Sequence, residues 1–420
     1  MTSPSNDSAI SIARTLAGTN PGKQPSRPTS TINDPQRSKS NSPRTPVHIS
    51  QHHELSVAEQ AALDLENSAA VEQAQNEIDI DSGADARSMS SLGSESGYGS
   101  DTQGSSSTSL SSSVRDYAFE HGHRYHKFRE GTYNFPNEES EQEREDMKHA
   151  MMVNLCQKLH FAPLGDNPQH ILDMGTGTGI WAIEMGDLYP GANVLGVDLS
   201  PIQPEWVPPN VRFMVDDVES PWLRPRNHFD YIHGRHTVMA IRDWPKLMRR
   251  VLDHLKPGGW FELQEIHHYP QCHDGSMPPD HPVTQYWAYI IEGLAQLGVN
   301  FNATLLLADM MREAGFVNVT TRIFHVPIGV WPRNKVLKMV GLYWRTILID
   351  GLDPIATGPM TRGLKWKKEE VDVWLAHVRK AYMDSWVHAH MPLHVICAQK
   401  PEAGVDYSAE SYAPEGMADS

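Results

Sequence analysis

The sequence contains few cysteines, no long apolar run and no excess of basic residues. Its three cysteines lie far apart, which argues against a disulfide framework and favours a reducing compartment. No apolar run is long enough to span a membrane, and no apolar core of a secretory signal occurs near the first residue. The 36 basic and 52 acidic residues give a net charge of −16, which disfavours direct binding to nucleic acid. These absences predict a soluble intracellular protein of the nucleus or cytoplasm, without contact to a membrane.

Aromatic residues are almost missing from the first quarter of the chain. Residues 1–113 contain 26 serines and a single aromatic residue, Tyr98. Because such a segment cannot bury enough apolar surface to offset the entropy of ordering, we predict that it is disordered. An alanine-rich acidic stretch between residues 55 and 80 is expected to form at most a fraying helix, since a short isolated helix is marginal in water. The predicted organisation is a disordered tail at 1–113, an aromatic lid and N-terminal helix at 114–160, a globular domain at 161–400 and a flexible C-terminal tail at 401–420.

Short apolar runs alternate with helical patterns in the remainder of the chain. Strands are predicted at 170–173, 193–198, 211–215, 229–233, 260–266, 316–326 and 393–399. Helices are predicted at 138–160, 180–188, 244–255, 283–297, 304–314, 331–350 and 369–386. Strands that alternate with helices predict an α/β fold, with helices on both faces of a parallel sheet. Ligands of such sheets bind at the carboxyl ends of the strands, so the residues just after each strand are the candidates for function.

A glycine-rich turn follows the first of these strands, with the sequence Asp173-Met174-Gly175-Thr176-Gly177-Thr178-Gly179. Glycines here let the backbone approach a ligand closely. The main alternative is a dinucleotide site with the pattern G-x-G-x-x-G, but Ile180 occupies the place of its third glycine. The Asp173 carboxylate also lies near where a diphosphate would bind, and it suits a ligand that carries an amino group.

Acidic residues also follow the next two strands. Asp198 ends the second strand, 19 residues after the last glycine, where an acid would accept hydrogen bonds from ribose hydroxyls. Asp216-Asp217 ends the third strand and is placed to accept from an adenine amino group. Each aspartate alone is as readily explained as a turn or cap residue. Together with the glycine loop, however, they predict a ligand with amino acid, ribose and adenine parts and no phosphate, which describes S-adenosylmethionine.

The motifs in this order carry a family resemblance. Asp-Met-Gly-Thr-Gly-Thr-Gly, Val-Asp-Leu-Ser, Asp-Asp-Val-Glu and Lys-Pro-Gly-Gly resemble the class I S-adenosylmethionine-dependent methyltransferases. More narrowly, Gly-Thr-Gly-Ile-Trp-Ala-Ile-Glu, Gly-Val-Asp-Leu-Ser-Pro-Ile-Gln-Pro, Glu-Ser-Pro-Trp and Trp-Phe-Glu-Leu-Gln-Glu resemble the fungal LaeA-like methyltransferases. The aromatic stretch Tyr-His-Lys-Phe-Arg-Glu-Gly-Thr-Tyr-Asn-Phe-Pro-Asn is similar to theirs as well, so the resemblance extends over residues 114–400.

The resemblance implies a fold, a cofactor and an activity. The fold would be a doubly wound, Rossmann-like, mostly parallel seven-stranded sheet with helical additions over the substrate side, and the cofactor would be S-adenosylmethionine. The cofactor-binding residues carried over from the family are Tyr133, Asp173 at the methionine amino end, Gly175, Gly177 and Gly179 in the loop, Asp198 at the ribose, and Asp217 and Val218 at the adenine. The activity would be methyl transfer to an unknown small-molecule or protein acceptor. The family also implies regulation of secondary metabolism and development, with velvet-type regulatory proteins as partners.

The residues that perform chemistry are harder to predict. Methyl transfer from a sulfonium needs mainly proximity and orientation, with a general base only where the acceptor must lose a proton. His236, in the loop after the fourth strand, is the candidate catalytic residue, and a histidine packed at a strand end is the alternative. A cluster of histidines and Cys272 at 267–281 matches no paired zinc pattern, so we expect no metal.

Two further expectations concern the whole chain. The aromatic stretch 117–136 has no regular period and precedes a helix with acidic residues in its first turn, so we predict a lid that excludes water from the cofactor. A strap packed permanently on the core is the alternative. The second function that we consider is a regulatory subunit that uses the methyltransferase fold as an interaction platform, with little or no catalysis.

Overall fold

The computed structural model describes residues 57–81, 117–120, 123–126, 133, 135–405 and 407. The helices within these residues are α1 (Val57–Gln75), α2 (Glu139–Cys156), α3 (Ile180–Leu188), α4 (Trp244–His254), α5 (Pro282–Gln296), α6 (Leu307–Ala314), α7 (Lys335–Asp350), α8 (Leu352–Thr357) and α9 (Lys368–Tyr382). The strands are β1 (Tyr117–Glu120), β2 (His123–His126), β3 (His170–Met174), β4 (Asn193–Asp198), β5 (Val211–Val215), β6 (Phe229–Arg235), β7 (Leu255–Ile266), β8 (Val317–Pro327) and β9 (His390–Gln399). The remainder of the predicted tails, at 1–56, 82–113, 406 and 408–420, lies outside the described residues.

Seven of the strands form one sheet, in the order β5-β4-β3-β6-β7-β9-β8. The strands β3 to β7 run parallel to one another, and β9 lies antiparallel between β7 and β8. This order confirms the predicted doubly wound, mostly parallel seven-stranded sheet. The chain runs outward from β3 to β5 and then returns to β6, so the strand order reverses between β3 and β6. Ligands of such sheets bind outside the carboxyl ends of the strands at this reversal.

Local sequence explains the best-predicted helix. The Asp243 side chain accepts a hydrogen bond from the Lys246 backbone N–H at 3.0 Å, and Pro245 occupies the first turn of α4. Its inward face buries the apolar residues Trp244, Leu247, Met248 and Val251. An N-terminal cap, an early proline and one apolar face are the signals from which a helix can be predicted, and here all three agree.

The strand after this helix differs from its prediction. The sequence Pro257-Gly258-Gly259 was expected to form a turn before a strand that begins at residue 260, but β7 begins at Leu255, directly after α4. The pairing of β7 with β6 is irregular at this point, between Phe229 and Tyr231. The proline and glycines therefore lie in a bulged part of the strand, where Gly258 has a positive φ of 79° that glycine adopts readily.

Residues 57–81 correct the prediction of a disordered tail. Here α1 packs against β8 and α7, with Ala70 and Ala74 fully buried. The chain after α1 is held by the Asp81–Lys338 ion pair at 2.5 Å and by backbone hydrogen bonds to residues 331 and 333. Two small alanines one turn apart let the helix lie close to the surface that it covers. Composition indicated disorder because it records how few aromatic residues the segment has, whereas this contact needs only small ones.

The described part of the aromatic stretch is more regular than expected. β1 and β2 pair as a two-stranded antiparallel sheet, with Tyr117 opposite His126. The His123 ring lies between two carboxylates, with Nδ1 at 2.9 Å from Glu138 and Nε2 at 3.1 Å from Asp353. These contacts connect the small sheet to the start of α2 and to α8.

Neither a membrane-spanning helix nor a metal-binding cluster occurs among the described residues. None of their helices is both long enough and apolar enough to cross a membrane. Within the same residues, no three His, Cys, Asp or Glu side chains are grouped so that they could hold a metal ion. The histidines of the 267–281 segment are divided between the core, where His268 stacks on Phe301, and the neighbourhood of β8 and β9, where His273 contacts His325 and His390.

Candidate cofactor-binding cleft

A cleft opens at the carboxyl ends of β3, β4, β5 and β6, where the strand order reverses. It measures about 1130 Å³ together with its open mouth. One wall consists of the glycine loop and the ends of β4 and β5, and the opposite wall consists of Tyr133, the first turns of α2 and the loop after β6. Of the predicted site residues, the structure brings Tyr133, Gly175, Gly177, Asp198, Asp217, Val218 and His236 to the lining of this cleft.

The glycine loop reaches the cleft at two positions. Gly175 and Gly177 line the cleft, and both have positive φ angles, 68° and 55°, that favour glycine. The N–H of Gly175 donates to the Val197 carbonyl at 2.8 Å, and the N–H of Gly177 donates to the Asp198 carboxylate at 2.9 Å. A Cβ built on Gly177 would meet no atom within 4 Å, so the backbone there borders open space. The loop is therefore held against β4 from below and is bare on the ligand side.

Two of the predicted cofactor residues lie elsewhere. The Asp173 carboxylate is buried beneath the loop, where it accepts from the Thr176 hydroxyl at 2.6 Å and contacts His233 Nδ1 at 2.8 Å. Gly179 is the N-cap of α3 and packs against the ring of Phe213, which a Cβ would approach to 2.3 Å. Neither residue lines the main cleft, so the structure indicates that both support the loop from within. The expected contact of Asp173 with an amino group stays a prediction.

Asp198 lies in the cleft wall at the end of β4. Its two carboxylate oxygens accept from the backbone N–H groups of Gly177 and Ser200, each at 2.9 Å. Burial raises the pKa of Asp198 to about 6, against the lowering effect of these two hydrogen bonds. A carboxylate oxygen has room for more than one hydrogen bond, so both oxygens can still accept from hydroxyl groups of a ligand.

The end of β5 forms the neighbouring part of the wall. The Asp217 carboxylate accepts from the Glu219 N–H at 2.8 Å and from the Ser220 hydroxyl at 3.1 Å, which shapes the turn that follows the strand. Val218 lies beside it and packs against the core, and its carbonyl accepts from Trp222 and Arg250. The carboxylate and the apolar side chain thus stand next to one another at the rim, which is the combination that an adenine ring requires.

Tyr133 covers the cleft from the side of the aromatic stretch. Its ring packs edge-on against Phe135 at 5.3 Å, and its hydroxyl lies 3.9 Å from the Met239 sulfur. Burial raises the pKa of Tyr133 well above its usual value, so the hydroxyl is protonated at neutral pH. The next residues are fixed to the far wall, because the Asn137 amide donates to the Ser200 hydroxyl at 3.1 Å.

His236 lies in the loop after β6, at the floor of the cleft. It has a positive φ of 56°, which is unusual for a residue with a side chain, and both ring nitrogens are buried without a hydrogen-bond partner among the described residues. Burial, followed by the charges of Lys148 and Arg235, lowers its pKa well below the usual value, so the ring is neutral at pH 7. Strained backbone and unsatisfied polar atoms in one residue are typical of functional positions.

Sequence reasoning missed the residues that shape this loop. The buried Glu265 of β7 accepts from the N–H and hydroxyl of Thr237, at 2.7 and 2.6 Å, and from the N–H of Val238. Burial raises the pKa of Glu265 to about 7. Glu145 and Lys148 of α2, paired at 2.6 Å, also line the cleft. In the sequence these residues appear as ordinary charges on a strand and a helix, and only the burial of Glu265 between two strands distinguishes it.

The cleft fits S-adenosylmethionine in its shape and in its chemistry. The open space at Gly177 leaves the loop backbone accessible to a ligand, since any side chain there would fill it. Asp198 offers acceptors for hydroxyl donors, and the Asp217–Val218 pair offers an acceptor beside an apolar surface. The sheet order, the glycine loop and an acid after the second strand together define a class I S-adenosylmethionine-dependent methyltransferase.

Comparisons with known proteins narrow this class. A family model described as a methyltransferase domain matches residues 147–321. "Methyltransferase pytC" of Aspergillus terreus is 42% identical over 299 residues, which cover 71% of this chain and 92% of the relative. "Secondary metabolism regulator LAE1" of Cochliobolus heterostrophus is 35% identical and covers 67% of this chain and 94% of the relative. "Protein-methionine methyltransferase laeA" of Emericella nidulans is 32% identical and covers 67% of this chain and 76% of the relative. The chain belongs to the LaeA-like methyltransferases.

Proposed function

We propose that this methyltransferase controls secondary metabolism and that its cofactor lies in the cleft at the carboxyl ends of β3 to β6. The cofactor supplies an electrophilic methyl group on a sulfonium sulfur, and the neutral thioether that leaves needs no protonation. In this proposal Gly175 and Gly177 bind the amino acid part and Asp198 binds the ribose. Asp217 and Val218 flank the adenine. The observation that carries the assignment is the bare Gly177 backbone beside the Asp198 carboxylate, in a cleft of sufficient size.

We assign the acceptor to the part of the cleft between Tyr133, His236 and Met239. The neutral His236 ring can accept a proton or a hydrogen bond from an acceptor nucleophile, because neither of its nitrogens is engaged by the described residues. Tyr133 limits access of water from that side. A relative named protein-methionine methyltransferase supports a protein side chain as one acceptor class, and a small molecule is the other.

The regulatory part of the proposal rests on relatives named secondary metabolism regulators, at 31–35% identity. Velvet-type regulatory proteins as partners, and the nucleus as the place of action, follow from family membership alone. Replacing the gene in its source organism with a Gly177→Arg allele tests the role. We expect changes in metabolites of several unrelated classes, as large as those caused by deletion. A change in one class alone would assign the protein to a single pathway, and a wild-type profile with the variant present at normal abundance would favour the platform function.

A further inference from the structure

A charged side chain stands at the inner end of the cleft with an incomplete set of partners. Arg235 is the last residue of β6 and lines both the main cleft and a smaller cavity beneath it. The smaller cavity is bounded by the glycine loop, including Gly175 and Gly177, and by Glu145 of α2. Arg235 therefore lies where the glycine loop, α2 and the end of β6 meet.

One neighbour holds the guanidinium in position. Arg235 Nη2 donates to His149 Nδ1 at 2.8 Å. Burial, followed by the charge of Arg235, lowers the pKa of His149 to about 3, so the ring is neutral. Because Nδ1 accepts from Arg235, the single N–H proton of the ring lies on Nε2, which is 3.0 Å from the Glu184 carboxylate. A neutral histidine orients the arginine without neutralising it, and the carboxylates of Asp173, Glu145 and Glu184 act on its charge only from beyond ion-pair distance.

The charge of Arg235 is not balanced by an ion pair with any described residue. Of the two cations that line the main cleft, Lys148 is paired with Glu145 at 2.6 Å, whereas no carboxylate of the described residues lies within ion-pair distance of Arg235. Both oxygens of the nearby Asp173 are used by Thr176 and His233. Arg235 is half-buried, and a partly desolvated guanidinium without a counter-ion is costly. Its planar fork of donors matches a carboxylate.

We propose that Arg235 binds the α-carboxylate of the methionine part of the cofactor, which rests on the cofactor site proposed above. The position favours this group over an anion on the acceptor, because Arg235 shares its cavity with the glycine loop and with the open space at Gly177. His149 acts as a positioning residue that presents the guanidinium. The arginine thereby selects ligands that carry the amino acid part over ligands that carry adenosine alone.

Titration calorimetry on the full-length protein tests the proposal with three probes: S-adenosylhomocysteine, its decarboxylated analogue and 5′-methylthioadenosine. Arg235→Gln should weaken S-adenosylhomocysteine binding by at least about tenfold, because a charge-assisted hydrogen bond is lost. Its affinity for 5′-methylthioadenosine should not change. Arg345→Gln removes a half-buried arginine of α7 that does not line the cleft, and it should bind all three probes as the wild type does.

Several outcomes would overturn the assignment. Wild-type affinity of Arg235→Gln for S-adenosylhomocysteine would do so, and if methyl transfer were lost at the same time, Arg235 would belong to the acceptor. Equal losses for 5′-methylthioadenosine would indicate a structural role. If Arg235→Gln does not fold, Arg235→Lys should show the same selectivity with a smaller loss. The wild type also tests the proposal without any variant, because it should bind S-adenosylhomocysteine more tightly than the decarboxylated analogue. Equal affinity for the two probes would contradict the proposal. Failure of the wild type to bind any adenosine probe would refute the cofactor site itself.

Discussion

At the scale of single residues, two glycines of one loop have opposite surroundings. A Cβ on Gly177 would enter open space in the cleft, whereas a Cβ on Gly179 would press into the Phe213 ring. We therefore expect Gly177→Arg to abolish binding of S-adenosylhomocysteine while the protein stays folded, with a loss of roughly 1–2 kcal/mol from the positive φ. Gly179→Ala should instead lower the free energy of unfolding by roughly 1–3 kcal/mol or more through overpacking. Calorimetric binding and urea unfolding measure the two effects, and equal ligand affinity in Gly177→Arg and the wild type would contradict the assignment.

The raised pKa of Asp198 predicts how cofactor affinity changes with pH. Hydroxyl donors of a ligand favour the ionised carboxylate, so binding lowers the pKa of Asp198 from its value of about 6 in the free protein. Affinity for S-adenosylhomocysteine should therefore fall as the pH is lowered through about 6. Asp198→Asn should bind more weakly, by roughly tenfold at pH 7.5, and should lose most of this dependence. A wild-type affinity that is constant between pH 5 and pH 7.5 would show that Asp198 does not contact the ligand.

The same acidic group affects stability in the opposite direction. Its pKa in the folded protein lies above that of an unfolded aspartate, so the folded state binds more protons between these two values. Asp198 therefore stabilises the ligand-free fold at low pH, and this contribution declines as the pH rises toward 6.

The residues that line the cleft could be predicted only where their place follows from position along the chain. Gly177, Asp198 and Asp217 lie at or just beyond the ends of strands, and the order of the strands brings them to one cleft. The engagement of Asp173 by His233 and the support of Thr237 by Glu265 join residues far apart in sequence. No local pattern specifies such pairs, because they depend on which strands become neighbours and on which side chains are buried between them.

At the scale of elements, α1 shows what composition could not predict. Ala70→Leu should lower the free energy of unfolding by roughly 1–3 kcal/mol, because the larger side chain does not fit where the helix meets its neighbours. Ala62→Leu, at an exposed position of the same helix, should change it by less than about 0.5 kcal/mol. Deletion of 1–56 should leave the thermal midpoint unchanged, whereas deletion through residue 81 should lower it. Equal stability of the two leucine variants would mean that α1 does not pack on the domain in solution.

The proposed lid is tested by hydrogen exchange. Tyr133 lines the cleft, so binding of S-adenosylhomocysteine should slow exchange over 117–136 strongly, and should have little effect on α9, which lies outside the cleft lining. Closure over the ligand is the physical reason, since it removes opening motions that expose the backbone. Equal exchange with and without ligand would identify the segment as a permanent strap.

Element boundaries were predictable where several local signals coincide. The bounds of α3, β4 and β5 agree with their predictions, because apolar periodicity and turn residues mark the same positions. The predicted start of β7, at residue 260, lies five residues after its observed start at Leu255. Pro257 and the two glycines suggest a turn, and only the pairing with β6 keeps them in a strand. The short helix α8 was not predicted, because its six residues are too few to show a period.

At the scale of the whole molecule, the question is whether the cleft serves catalysis or only supports an interaction platform. A platform would not need a bare loop at Gly177, a buried carboxylate at Asp198 or, at the inner end of the cleft, an arginine that has no ion pair among the described residues. These features cost stability and provide nothing to an outer surface. Their retention in one cleft favours an enzyme that binds its cofactor and uses it.

The measurement that tests this account most directly is transfer of labelled methyl groups from S-adenosylmethionine to components of a cell extract. The wild type should label one or a few species, which mass spectrometry then assigns to a small molecule, to another protein or to the chain itself. Gly177→Arg should label none of them, and His236→Asn should label them more slowly while binding S-adenosylhomocysteine with normal affinity. The contradicting result is a wild-type protein that binds S-adenosylmethionine tightly but labels nothing beyond what Gly177→Arg also labels.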